Sequence, residues 1–299
     1  MSMVPPGDEP SAGSESEPPG PTALRMILGS QLRRLREAAG ITPDEAGYEV
    51  RASRSKISRL EHGRVGFKDR DVTDLLTLYG VTNAQIQARM LSLARQANAP
   101  GWWSRYGDIL PDWFEGYLGL EGAASVIRTF ELQFVHGLFQ TEAYACAVTL
   151  LGHKTAPTEA IDRRVSLRLK RQDIFTRPEP PQVWSVMDEA VLRRPVGSRA
   201  VMRAQLDQLA EVASLPQVTI QVVPFGCGGH AAAGGSFTIL RFAEQELPDI
   251  VYIEQLTSAL YLDDRRDVEY YVEVFNELST QALTPERTAR FLAEITRET

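Results

Sequence analysis

The sequence predicts an all-α five-helix helix-turn-helix domain followed by a larger α+β domain. Three observations predict it. Apolar residues recur at helical spacing in five short runs within residues 23–97, with Gly40, Gly63 and Gly80 as stops. Within that region, Ala52–Gly63 combines a cap residue, a short two-faced helix and a glycine stop. From residue 118 onward, short strand-like runs alternate with helical stripes, the pattern of a mixed body. A chain of 299 residues is long enough to bury two cores.

Residues 1–22 are rich in Pro, Gly, Ser and Glu and nearly free of large apolar side chains. They cannot bury enough surface to offset chain entropy, so a disordered tail is expected. Helical order begins near Leu24, where Leu24, Ile27, Leu28, Leu32 and Leu35 share a face and Arg33, Arg34 and Arg36 point away. Gly40 ends this first helix. Thr42 caps the second, Pro43 takes its first position, and Glu45 completes a capping box. That helix runs to about Val50, and Arg51-Ala52 is the turn. The third helix spans Ser53–His62. A fourth carries Val72, Leu75, Leu76 and Tyr79 and ends at Gly80. Thr82 and Gln85 read as a second capping box for a fifth helix through Ile86, Met90 and Leu93.

Residues 98–117 hold Trp102, Trp103, Tyr106, Trp113, Phe114 and Tyr117. They read as a packing seam between the two domains. A stacking surface for single-stranded bases would need basic residues interleaved, and there are almost none. In the body, residues 118–299, strands are expected at Val126–Leu132, Val183–Met187, Val218–Val223, Phe237–Phe242 and Ile250–Ile253. Helices are expected at Thr141–Leu151, Thr158–Phe175 and Ser198–Ala213, over Val268–Leu278, and after the Thr284-Pro285 cap.

Hydrophobic content of 43% and charged content of 24% are those of an ordinary globular chain. Net charge is -7, which by itself does not point to nucleic acid. The distribution does. Residues 24–70 hold eleven Lys and Arg against six Asp and Glu, a local +5 within an acidic whole. Ile57 and Leu60 form one edge of the third helix, while Ser55, Ser58 and Arg59 point the other way and Arg54 and Lys56 flank them. Ala46 and Gly47 are small where the second helix must cross the third. Such a pair places its second helix in the major groove of double-stranded DNA. The candidate DNA-binding residues are Thr42, Ser53, Arg54, Ser55, Lys56, Ser58, Arg59 and Arg64. Arg54, Ser55, Ser58 and Arg59 are placed to reach base edges or phosphates; Thr42, Lys56 and Arg64 are suited to phosphates.

Other chemistry is weak. The loop Gly226-Cys227-Gly228-Gly229-His230 to Gly235 lacks the Gly-Lys-Ser/Thr of a phosphate cradle. Cys227 and His230 are two ligands where a closed zinc site needs four. His62, His136 and His153 cluster with nothing in sequence. Asp263-Asp264 beside Arg265-Arg266 reads as a solvated turn. No catalytic residue, metal site or cofactor is expected, and the chain does not read as an enzyme. Two distant cysteines fit a reduced cytoplasm, and no apolar run is long enough for a membrane span.

The stretch from Leu32-Arg-Arg-Leu-Arg through Ser53-x-Ser-Lys-Ile-Ser-Arg-Leu-Glu-x-Gly63 resembles the helix-turn-helix domain of the Xre family. Two positions depart from it: Pro43 stands where the family usually has a phosphate-contacting Gln, and Arg51 where it usually has Gly. The body is similar to the C-terminal domain of WhiJ-like regulators of actinomycetes. The carrying residues are Trp102-Trp103, Pro111-Asp-Trp-Phe114, Glu121-x-Ala-Ala124, Gly137-Leu-Phe-Gln-Thr141, Thr219-Ile-Gln-Val-Val-Pro-Phe225 and Tyr252-x-Glu254. His136 stands where that family often has Pro. The resemblance implies a DNA-binding regulator, often encoded beside a small partner protein and sometimes labelled antitoxin-like; the chain is expected to be a transcriptional repressor. One bundle reads one half-site, so a homodimer on a palindrome is expected.

Overall fold

The computed structural model describes residues 20–243 and 247–299. The expected tail lies outside the described residues up to residue 19, and its last part is helical. Helix α1 is Pro21–Ala38, with Pro21 at its first position.

Helices α2 (Pro43–Glu49), α3 (Arg54–Glu61), α4 (Asp69–Leu78) and α5 (Ala84–Ala97) complete the N-terminal bundle. The caps follow from local chemistry. Thr42 Oγ1 accepts from Glu45 N at 3.2 Å, and the Glu45 carboxylate accepts from Thr42 N at 2.8 Å. Ser53 Oγ accepts from Lys56 N at 3.2 Å. The cap of α5 differs from expectation. Asn83 Oδ1 accepts from Gln85 N at 2.9 Å and Ile86 N at 3.2 Å. Asn is at least as good a cap as Thr and stands one residue nearer the open N–H groups, so Thr82 is left out. Leu28, Leu32, Ile57, Leu60, Val72 and Leu76 form the bundle core.

The body begins with a short turn of 3-10 helix over Trp102–Tyr106 and helix α6, Asp112–Ala123. Trp103 and Tyr106 pack with Leu118 and Leu167, so the aromatic run is buried against the body. Then come β1 (Val126–Glu131), α7 (Glu142–Gly152), α8 (Thr158–Arg171), β2 (Gln182–Asp188), α9 (Glu189–Arg193), α10 (Arg199–Val212) and β3 (Val218–Val223). They are followed by β4 (Phe237–Arg241), β5 (Ile250–Glu254), β6 (Ala259–Leu262), α11 (Arg265–Gln281) and α12 (Pro285–Glu298).

The strands form one six-stranded mixed sheet in the order β3-β2-β1-β4-β5-β6. β1, β2 and β3 pair in parallel, and β1–β4, β4–β5 and β5–β6 pair antiparallel. Alternation along each strand separates two cores. Ile127, Met187, Val222, Leu240 and Tyr252 face a layer that includes α6, α7, α10 and α12. Phe130, Val186, Ile239 and Val251 face α11 through Val274, Phe275 and Leu278. β6 has no counterpart among the expected strands. It is an edge strand of half-exposed residues, so it lacks the apolar alternation that sequence reading relies on.

Helix α1 belongs to both parts. Ala23 and Met26 lie in the body core with Tyr117 and Leu120, while Leu28 and Leu32 lie in the bundle core. A Cβ on Gly119 would fall 1.8 Å from Thr22 Oγ1, so α6 meets α1 at glycine distance. Helix α1 of the bundle thus contributes Ala23 and Met26 to the body core.

Candidate nucleic-acid interface

The site is built on α2 and α3. The turn between them folds tightly back on α2 because Gly47 has no side chain: a Cβ there would sit 2.7 Å from the Ala52 carbonyl oxygen, and Ala52 N donates to Gly47 O at 2.7 Å. On the other side, a Cβ on Gly29 of α1 would lie 2.5 Å from Leu60 O and 2.6 Å from Glu61 O. α3 thus starts from a turn folded tightly on α2 and ends against α1 at backbone distance. Ile57 and Leu60 are each 1% exposed and anchor its inner edge. Gly63 turns the chain away at φ 64°.

A buried ion pair fixes the C-terminal end of α3. Arg36 Nε donates to Glu61 Oε1 at 2.6 Å and Arg36 Nη2 to Glu61 Oε2 at 2.9 Å, while Nη1 reaches Ile41 O at 2.9 Å. The Glu61 hydrogen bond holds the Arg36 guanidinium above its ordinary pKa. Burial, with the Glu61 carboxylate nearby, pushes the Tyr79 phenol well above the usual tyrosine value. These groups are support for the reading helix and not part of its outer face.

The predicted residues separate into groups. Arg54, Ser55, Ser58 and Arg59 are exposed on one side of α3. Arg54 Nη1 lies 3.8 Å from Asp44 Oδ2, a loose pair of exposed side chains worth little. Thr42 and Ser53 are exposed, but their hydroxyls serve the helix caps. Lys56 is turned aside: its Nζ donates to Asp71 Oδ2 of α4 at 2.9 Å. Arg64 reaches the body, donating to Tyr261 O at 3.1 Å and lying 3.5 Å from Asp263 Oδ1.

At Arg51, where the resembled family usually has Gly, the turn is left-handed: Arg51 is the one non-glycine residue with positive φ among the described residues, at 52°. It keeps the turn that a glycine would make at less cost. Sequence reading missed three features here. Arg36, expected to point away from the core, is buried against Glu61. Tyr48 is 87% exposed on α2, and its position on the face opposite Ala46 and Gly47 could have shown this. Third, Asp263-Asp264 is more than a solvated turn. Asp264 caps α11 by accepting from Arg266 N at 3.0 Å. Asp263 faces His62 Nε2 at 3.4 Å and Arg64, joining the end of the reading helix to β6. His62 therefore does have a charged neighbour, one that lies about two hundred residues away in sequence.

The glycine-rich loop brings its two candidate ligands apart. Cys227 Sγ donates to Gln281 O at 3.3 Å, while His230 lies against Phe130 with its Nε2 3.8 Å from Asp188 Oδ2. Among the described residues, no helix is long and apolar enough to cross a membrane.

Two family models match the chain. A helix-turn-helix domain matches residues 27–88, which include α2, α3 and α4. No curated protein and no solved structure matches. The second model, described as a domain of unknown function (DUF5753), matches residues 114–294, from α6 into α12. That match spans more than half of the 299 residues, and the chain belongs to the DUF5753 family, with a helix-turn-helix DNA-binding domain ahead of the family domain.

Proposed function

We propose that the chain is a sequence-specific transcriptional regulator of the Xre type, acting as a repressor, with a WhiJ-like body that receives a signal or partner. It works by binding and not by catalysis, in the cytoplasm, as a homodimer on a palindromic site of double-stranded DNA. One observation carries this reading. α3 buries Ile57 and Leu60 and leaves Arg54, Ser55, Ser58 and Arg59 exposed on its far side. An Arg that reaches guanine through two hydrogen bonds supplies about 1–3 kcal/mol of discrimination. Tyr48 and Arg51 are exposed in the segment just before α3 and suit backbone contacts. The homodimer is supported by geometry alone: one chain carries one reading helix, and a palindrome needs two.

The test is to sequence the genomic DNA retained by the full chain and by the Arg54→Ala, Arg59→Ala double variant. The proposal expects an enriched palindromic motif that the double variant loses while keeping its fold. Equal retention by both would overturn it.

An antitoxin-like role, in which the body mainly binds a small neighbour-encoded protein, is favoured by one observation. The β5–β6 turn and edge strand leave Leu256 fully exposed and Leu260 52% exposed. Co-purification of such a partner with the wild-type chain, lost when Leu256 and Leu260 become Ser, would support that role over the first.

A further inference from the structure

The end of β1 and the end of β5 bring two carboxylates into one row. Phe130 pairs with Phe237 and Thr238 with Tyr252, so the register continues to Glu131, Ser236 and Glu254 on adjacent strands. Side chains in one row share a face, two strand spacings or about 10 Å apart at their ends. Leu132 N donates to Ser236 Oγ at 3.1 Å, which holds the row together. The shared face is that of Ile127 and Thr129, beneath α7 and α8.

Arg168 of α8 comes to the same place. Its Nη1 donates to Gln140 Oε1 at 3.1 Å, and among the described residues no carboxylate lies within salt-bridge distance of it. Glu131 accepts from Thr129 Oγ1 at 2.8 Å and likewise has no cation within that distance. Arg171 cannot serve Glu131, because it is spent on Glu121 through bonds of 2.8 and 2.7 Å. Glu254 is exposed, acts electrostatically on both Glu131 and Arg168, and accepts from Tyr252 Oη at 3.0 Å. The group opens to solvent at Glu254.

A largely buried cation and a largely buried carboxylate that each lack an ion-pair partner in contact are costly to fold around. Burial, and then the neighbouring Glu254, pushes the Glu131 carboxyl up to about 8. Burial, with the Arg171 charge added, pulls the Arg168 guanidinium down to about 10, where it still carries its charge at neutral pH. Groups perturbed in this way, at the carboxyl ends of strands covered by helices, mark ligand sites.

We propose that Arg168, Glu131 and Glu254 form a binding site for a small zwitterion of the α-amino acid class. The ligand carboxylate meets the Arg168 guanidinium, which Gln140 Oε1 holds in place while Gln140 Nε2 donates to Val135 O at 2.7 Å. The ligand ammonium meets Glu254 and Glu131. Glu131 gives its proton to solvent as the ammonium arrives, so one proton leaves per ligand bound below about pH 8. The groups facing Glu131 are Thr129 on its own strand, Ser236 and Glu254 on the neighbouring strands, Arg171 of α8, Tyr144 of α7 and Tyr117 of α6. Such a site rests on the reading of the body as the signal-receiving part. It is measured without DNA, so its loss and the loss of DNA reading are separate results.

The experiment is titration calorimetry of the full chain with the common L-α-amino acids, repeated in buffers of different ionisation enthalpy. At least one amino acid is expected to bind saturably, with affinity rising up to about tenfold per pH unit from pH 6 toward 8. Its N-acetyl and amide derivatives are expected not to bind. Arg168→Gln and Glu254→Gln are expected to lower affinity at least about tenfold, the loss of one charge-assisted contact. Glu131→Gln keeps the neutral shape and is expected to fold normally, but to release no proton. Absence of binding by every amino acid overturns the proposal. So does binding with no proton release, or binding equal in wild type and a folded Arg168→Gln.

Discussion

Glu61→Gln removes one charge from the pair that ties the reading helix to α1. The two side chains are only 9% and 6% exposed, and both bonds are short, at 2.6 and 2.9 Å. Gln keeps the shape and one hydrogen bond but leaves Arg36 as a buried cation with only the half-exposed Glu37 carboxylate, 3.6 Å away, for compensation. Breaking such a pair costs about 3–5 kcal/mol. Domains of this size hold only about 5–15 kcal/mol in total, so the bundle loses about a fifth or more of its stability. All four tryptophans lie at or beyond Trp102, in the body. Urea unfolding followed by tryptophan fluorescence therefore reports the body, and far-UV circular dichroism reports both parts. The variant should move the dichroism midpoint further than the fluorescence midpoint. Replacing both partners, as Arg36→Met with Glu61→Leu, should restore most of the loss, because neither buried charge is left alone. A cost below about 1 kcal/mol for Glu61→Gln, or a double variant as unstable as the single one, would refute the reasoning.

The same geometry sets further outcomes. Arg54→Ala or Arg59→Ala should weaken binding to a selected operator by about 1–3 kcal/mol at fixed salt, read by fluorescence anisotropy, with the melting curve unchanged. Arg51→Gly should stabilise the bundle by about 1 kcal/mol in urea unfolding, because glycine accepts the φ of 52° without strain and gives back part of that gain as chain entropy. Asp263→Asn frees Arg64, itself about half exposed to water, from a carboxylate 3.5 Å away. It should cost under about 1 kcal/mol of stability. If Arg64 then takes a phosphate, the slope of log affinity against log salt should steepen by about 0.9. Glu131 is protonated in the folded chain up to about pH 8, against 4.5 for a free carboxyl. The folded state thus binds more protons, and this group's contribution is full below about 4.5 and fades as pH rises through 8. Glu131→Gln should be the more stable protein above pH 8 by a few kcal/mol, on the order set by that shift, and should lose this part of the pH dependence in thermal melts.

The bundle was legible in the sequence because its signals are local. Thr42, Ser53 and Gly63 act on residues within four positions, and the stripe of Ile57 and Leu60 needs only helical spacing. Most body strands were legible for the same reason, since Val218–Val223 and Ile250–Glu254 are nearly continuous apolar runs. What the sequence could not show depends on groups far apart in the chain. Lys56 looks like a phosphate contact until α4 brings Asp71 to it, and Arg64 does until β6 brings Asp263. Gly29 reads as an ordinary helical residue until Leu60 O lies where its Cβ would be. Glu131, Arg168 and Glu254 are three unrelated charges until sheet register and the path of α8 place them together. Sequence alone determined which segments fold and which face of α3 is free. Tertiary structure decided which charges on and around that face remain available, because desolvation and pairing act through space and not along the chain.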